Sequence, residues 1–276
     1  MSILVGLDGS AHSAATLTFA AEMADVMGSD VVVVHCRRES RRDASPVVKE
    51  FDVESSTWSD AFDKRGLRYR LVIVDSDPRH GLSSRAKSER AELVVVGTRG
   101  RGGFRGLRLG GTADYVVHHV ECPVAIVPDA GGQVGGGVAV LGVDGSDANR
   151  HAGEWAVRAA ENAGGRIEAV FVHDPMADSY PHPTIDNWHY HDQVETEDMV
   201  RDLTDTTDVV IDLRDVAGHV VTTLDAVANS IDAAYIVVGT RGRGSAGGRI
   251  LGRPTLQLLH HAQRPVVVVP HGETAW

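Results

Sequence analysis

Two aspartates and two glycine–arginine segments carry the residue types best suited to chemistry in this chain. Asp8 stands in "VGLDGS" and Asp144 in "LGVDGS", each closing a short apolar run. The segments "VVVGTRGRGGFRGLRLGGTADY", from residue 94, and "IVVGTRGRGSAGGRILGRPTLQ", from residue 236, each follow another apolar run. Glycines let backbone N–H groups approach a ligand closely, and consecutive N–H groups in such a turn form an anion nest. A helix beginning just after the nest adds its positive end, and arginine adds a permanent charge on a planar fork that matches phosphate. The combination suits a polyphosphate. An aspartate beside it would repel that ligand unless it met a sugar hydroxyl or acted through a divalent cation such as Mg²⁺. An Asp before Gly-Ser also caps a helix, and on residue types alone both roles stay open.

Other chemistries fit less well. The chain has no GxxxxGK[ST], and its three lysines, Lys49, Lys64 and Lys87, lie outside both segments, which argues against a P-loop. Gly242, Gly244 and Gly247 match GxGxxG, but they follow the fourth strand of their half rather than the first, so the match reads as chance. His173, His182, His189 and His191 gather near several aspartates without a tight ligand motif; a polar surface loop is expected there rather than a metal site. His118-His119 and His260-His261 each close a helix, where imidazole meets C-terminal carbonyls. With no GxSxG, no nucleophile elbow is present. Cys36 and Cys122 form no CxxC pair and read as packing residues.

These groups need elements to hold them. In the first half, strands are expected at about 3–7, 31–34, 69–74, 93–97 and 123–127. Ser10 is expected to cap a helix running to Met27, and further helices are expected at about 46–65, 81–90 and 111–120. The four consecutive valines from Val31 suggest a strand buried on both faces. The second half repeats the order, with strands at about 138–143, 166–172, 209–213, 235–239 and 265–269. Strands alternating with helices mean βαβ units, and five of them predict a doubly wound parallel sheet with helices on both faces. The ligand belongs at the carboxyl ends beside the switch point, where strands one and four can lie side by side. That is where Asp8 and the first glycine segment end up, and likewise Asp144 and the second.

The halves are copies. Asp8 and Asp144 lie 136 positions apart, whereas Gly97 and Gly239 lie 142 apart, so the second copy gained six residues between these landmarks. Residues 175–191 are the expected place. "DAGGQVGGG", at 129–137, reads as a flexible connection, giving domains at 1–130 and 138–276 with a glycine-rich linker at 131–137. A length of 276 residues suits two such domains.

Whole-chain properties narrow the function. The formal net charge of −11 argues against non-specific nucleic-acid binding. Two cysteines supply no disulfide framework, so a reducing cytoplasm is expected. The N-terminus lacks a signal-peptide pattern, and no apolar run is long enough to cross a bilayer.

At these residues the sequence resembles the universal stress protein family in its tandem two-domain form. The family's phosphate motif is G-x-x-G, nine residues, then G-[S/T]. Here Gly97-Thr-Arg-Gly100 is followed by nine residues and then Gly110, and Gly239-Thr-Arg-Gly242 by nine residues and then Gly252. "VGLDGS", "LGVDGS", "CPVAIVP" and "RPVVVVP" are similar to the family as well, and the resemblance covers essentially the whole chain. It implies a Rossmann-like, adenine nucleotide alpha hydrolase-like α/β fold and, in many members, ATP binding. Carried over, Asp8 with Gly9 would sit near ribose and Mg²⁺, while Gly97, Arg99, Gly100 and Gly110 would wrap the phosphates. The backbone near Cys36 would touch adenine. Asp144, Gly239, Arg241, Gly242 and Gly252 would take the matching places, with Asp144 as the second metal residue. The last strands would dock the halves as an intramolecular pseudo-dimer, and a homodimer is a further expectation.

Both copies depart from the motif. The [S/T] position holds Gly111, with Thr112 one place later, and in the second half Arg253 followed by Pro254. Thr112 is a substitute hydroxyl, and Arg253 either adds charge or fills the pocket. The first site is therefore the stronger. The expected function is an ATP-binding regulatory module in a stress response, acting with an unidentified protein partner and hydrolysing slowly or not at all. The alternatives are a slow ATPase or nucleotidyl-transfer enzyme, disfavoured because the strand-one loops lack SGGxDS, and a ligand-free interaction scaffold with relic loops.

Overall fold

A computed structural model describes residues 2–10, 13–37, 58–100, 109–129, 137–173, 185–240 and 251–272. The chain divides into two compact units, 1–131 and 132–275. In the first, strands β1 (Ser2–Gly6), β2 (Asp30–Arg37), β3 (Tyr69–Asp75), β4 (Ala91–Gly97) and β5 (Val124–Val127) pair in the order β3-β2-β1-β4-β5. All four pairings are parallel. The chain steps one way from β1 to β2 and β3, then returns to β4 on the other side of β1, which puts the switch point between β1 and β4.

Helices α1 (Ser13–Met27), α2 (Asp60–Asp63), α3 (Pro78–Glu89) and α4 (Gly111–His119) connect these strands. A Cβ on Gly6 would meet Leu82 of α3 and Val96 at 3.3 Å, whereas one on Gly97 would meet Thr16 of α1 at 3.0 Å. Helices thus cover both sheet faces, as right-handed crossovers require. Double coverage accounts for the unbroken valines of β2: Val31 to Val34 are all 2% exposed or less. The edge strand β3 has one neighbour and is less covered, with Ile73 exposed.

The second unit repeats this plan. Strands β6 (Val138–Val143), β7 (Arg166–His173), β8 (Ile211–Ala217), β9 (Tyr235–Gly239) and β10 (Val266–Val269) are ordered β8-β7-β6-β9-β10, again all parallel. Helices α5 (Asp147–Ala163), α6 (Ile185–Thr204), α7 (Val220–Ser230) and α8 (Arg253–His261) complete it. Packing is copied to the residue: a Cβ on Gly142 would meet Leu224 at 3.1 Å and Val238 at 3.2 Å, the counterparts of Leu82 and Val96.

Several expectations need correction. The strand expected at 209–213 runs from Ile211 to Ala217, because β7 sets the pairing: Ile167 aligns with Ile211 and His173 with Ala217. His189 and His191 lie in α6 rather than in a loop, and His191 is paired one turn on with Glu195 at 3.0 Å. Of the helix expected at 46–65, residues 46–57 lie outside the described residues, and α2 occupies only Asp60–Asp63. Ser10 does not cap α1 with its side chain. The helix begins at Ser13, and Ser10 instead supplies its carbonyl to the N–H of Ser13 at 3.1 Å.

Candidate functional site at the carboxyl ends of β1 and β4

Asp8 lies one residue beyond Leu7, whose N–H extends the β1–β2 ladder to the carbonyl of Val34 at 2.9 Å. The carbonyl of Leu7 is itself held by Nδ1 of the buried His35 at 2.8 Å. Gly9 then turns with φ +72°, a conformation that favours glycine. The turn aims the Asp8 carboxylate back on its own backbone. Oδ1 accepts from the N–H of Ser10 at 2.9 Å and from Oγ of Ser13 at 3.0 Å. Oδ2 faces the other way, toward Gly100, where an added Cβ would collide with it. The sequence thus brings Asp8 and the G-x-x-G loop together across the switch point, so closely that a side chain at position 100 would have to move the carboxylate.

Gly97 ends β4, with its α-carbon packed toward Thr16 of α1. The loop leaves through Thr98, whose N–H bonds the carbonyl of Val127 at 2.9 Å, and closes where Gly110 N–H meets the carbonyl of Thr98 at 2.7 Å. Gly110 is the N-cap of α4 in extended conformation, with φ −77° and ψ 149°. The first N–H groups of that helix have no intrahelical partner, and its positive end therefore faces the loop. Gly111 is exposed, and an added Cβ would meet nothing within 4 Å. The hydroxyl it lacks is missing for reasons of sequence, not of space. Thr112 is half-buried on the same first turn. Arg99 points its guanidinium at Asp129, bonding Oδ2 at 2.7 Å.

Cys36 stands near the carboxyl end of β2, paired with Val74 of β3. Its Sγ abuts Gly81 of α3, where a Cβ would come within 2.7 Å. Burial, and secondarily the Asp77 carboxylate, pushes its thiol from 9.0 up to about 11. Cys122 is pushed by burial up to about 12. Both thiols are poor nucleophiles near neutrality.

The second copy differs in its wiring. Asp144 is followed by Gly145 with φ +71°. Its Oδ1 accepts from the N–H of Ser146 at 3.0 Å and also from Oγ of Ser146 at 2.6 Å. The Asp144 N–H donates to Oδ1 of the buried Asn149 at 2.5 Å. Gly239 ends β9, and its carbonyl accepts from Oγ1 of Thr255 at 3.1 Å. Gly252 N–H closes on the carbonyl of Thr240 at 2.8 Å, matching the first copy. Arg253 is exposed at the start of α8, and Pro254 takes one N–H out of the first turn. Arg241 and Gly242 lie outside the described residues.

Four residues at or around the first site escaped the sequence reading: Ser13, Thr16, His35 and Asp129. Ser13 had a signal. It lies five places after Asp8, as Asn149 lies five after Asp144, and both polar groups fasten the strand-one turn. Among the described residues, no group of three or more His, Cys, Asp or Glu side chains is arranged to hold a metal ion. No helix there is long and apolar enough to cross a membrane.

The model of the universal stress protein family matches residues 1–128 and again 138–270. A universal stress protein of Mycolicibacterium smegmatis is 26% identical over 294 aligned positions, covering 97% of this chain and 96% of its own. Among solved structures, a universal stress protein from Archaeoglobus fulgidus superposes with a TM-score of 0.69 at 17% identity, covering 98% of both chains. One from Pseudomonas aeruginosa gives 0.70 at 18%, covering 98% of this chain and 92% of its own. The two solved structures support the fold.

Proposed function

The chain belongs to the universal stress protein family, and from that premise we propose that its first half binds an adenine nucleotide, ATP with Mg²⁺, as a regulatory ligand in a stress response. The observation that carries the reading is the meeting of Asp8 with Gly100 at the switch point, where the carboxylate comes so close to the loop backbone that a Cβ would displace it. A second feature supports it. Oγ of Ser10, in the same turn, is buried and has no hydrogen-bond partner among the described residues, a cost that a polar ligand would relieve.

In this reading Oδ2 of Asp8 faces ribose or the cation, and the cation offsets the repulsion between carboxylate and phosphates. Gly97, Gly100, Gly110 and Gly111 offer backbone N–H groups, the α4 N-terminus adds positive potential, and Arg99 adds charge. The backbone near Cys36 borders the base. The second half is the weaker site: Arg253 stands where the first half has Gly111, and Pro254 subtracts an N–H. Domain limits of 1–130 and 138–276, and a cytoplasmic location, belong to the same reading.

The test is to purify the protein without added nucleotide, denature it, and identify and count what is released by mass spectrometry, followed by calorimetric titration with Mg-ATP. About one adenine nucleotide per chain, lost in Asp8→Ala, is the expected result. No release and no binding in the titration would overturn the proposal.

A further inference from the structure

Arg99 and Asp129 leave the ends of the neighbouring strands β4 and β5, and their ion pair, N to O 2.7 Å, lies at the mouth of the glycine loop. The pair is well exposed, with side chains 44% and 35% accessible, so water and ions reach it. It is absent from the second copy by sequence: 142 positions after Asp129 stands His271, whose ring meets His151 edge-on at 5.4 Å between centroids. An aspartate just after the last strand is therefore specific to the first half by sequence.

We infer that Asp129 is a built-in competitor for Arg99 and sets the phosphate charge that a ligand must bring to the first site. This rests on the nucleotide reading above. A carboxylate and a phosphate both match the guanidinium fork, so a ligand phosphate competes with Asp129 for the Arg99 nitrogen that the carboxylate holds. A nucleoside without phosphates leaves the pair intact and gains nothing from Arg99. A polyphosphate reaching Arg99 competes with Asp129 for the guanidinium, and it does so more effectively as its own charge grows. The site then discriminates by phosphate charge at a residue outside the G-x-x-G motif. An exposed pair of this kind is weak, so the competition is a modest bias rather than a lock, and salt weakens it.

The experiment compares Mg-ATP and adenosine binding to the wild-type chain, Asp129→Asn, Arg99→Gln and the double variant, by calorimetry at low and at high salt. Asp129→Asn should tighten Mg-ATP about two- to fivefold at low salt and leave adenosine unchanged. Arg99→Gln should weaken Mg-ATP, and adding Asp129→Asn to it should restore nothing. A gain that persists without Arg99 would mean general relief of negative charge and would overturn the inference. So would equal tightening of adenosine, or no change in Mg-ATP. Absence of binding in all four folded proteins would instead sink the nucleotide reading itself, and the competitor with it.

Discussion

At the scale of single residues, the site is set by what glycine permits and by what burial does to thiols. Cys36 is the instructive case, because its sulfur fills the space a side chain at position 81 would need. Burial and the Asp77 charge raise its thiol to about 11, so it stays protonated through the physiological range. Alkylation of Cys36 by iodoacetamide should accordingly be slow at pH 7.5 in the folded protein. Its rate should climb as pH passes 9 toward 11, as the thiolate fraction grows. The linkage has a definite sign. An acid whose folded pKa exceeds its unfolded value stabilises the fold fully below the ordinary value of 9.0, and that contribution is lost as pH rises through about 11. Rates followed by peptide mass spectrometry check this; alkylation at pH 7.5 as fast as in a denatured control would contradict it.

At the scale of elements, the two copies pack the first strand against the third main helix through the same trio. Gly6 sits under Leu82 and Val96, with contacts of 3.3 Å, and Gly142 under Leu224 and Val238, at 3.1 and 3.2 Å. Alanine at either position requires the leucine and the valine to give by a few tenths of an ångström, and in a sheet covered on both faces that resistance is expected to cost up to about 1–3 kcal/mol. Gly142→Ala should be the costlier of the two, since its neighbours stand closer. Urea unfolding of both variants measures the order, and a reversed order would mean that Leu224 swings aside more easily than Leu82. Much of this level could be read from the sequence. Unbroken valine runs announced strands covered on both faces, and the alternation of strand and helix fixed the parallel sheet. The position of β8 was not legible, because its start is dictated by pairing with β7 rather than by its own hydrophobic pattern. The early start of α6 was not legible either: the histidines and aspartates around His189 and His191 look like loop composition, whereas the helix that holds them is fastened by Met199, Val200 and Leu203, all buried. Within the site, the aspartates and glycines were legible from type and spacing. Asp129 was not, because nothing local to it marks a partner on the neighbouring strand.

At the scale of the whole chain, duplication has produced two frames with unequal sites, and this predicts where a ligand leaves its mark. Both halves keep Asp-Gly-Ser after the first strand, a positive-φ glycine, and a loop closed onto a threonine carbonyl. In the first half, Oδ2 of Asp8 lies against Gly100 of the loop, and Gly111 leaves open space at the head of α4. In the second, Arg253 and Pro254 stand at the head of α8. Ligand at about 100 times its dissociation constant adds about 2.7 kcal/mol to whatever must open for the site to be lost. That corresponds to roughly 100-fold slower hydrogen exchange for amides that exchange only through that opening. Mg-ATP should therefore slow exchange in β1, β4 and the first turn of α4, and leave β6, β9 and α8 near their unliganded rates. Equal protection of both halves would mean that Arg253 serves as a phosphate ligand and that Pro254 costs little. Protection confined to the second half would reverse the ranking, and would make the Asp8 turn a structural cap whose resemblance to a binding site comes from the shared ancestry of the copies.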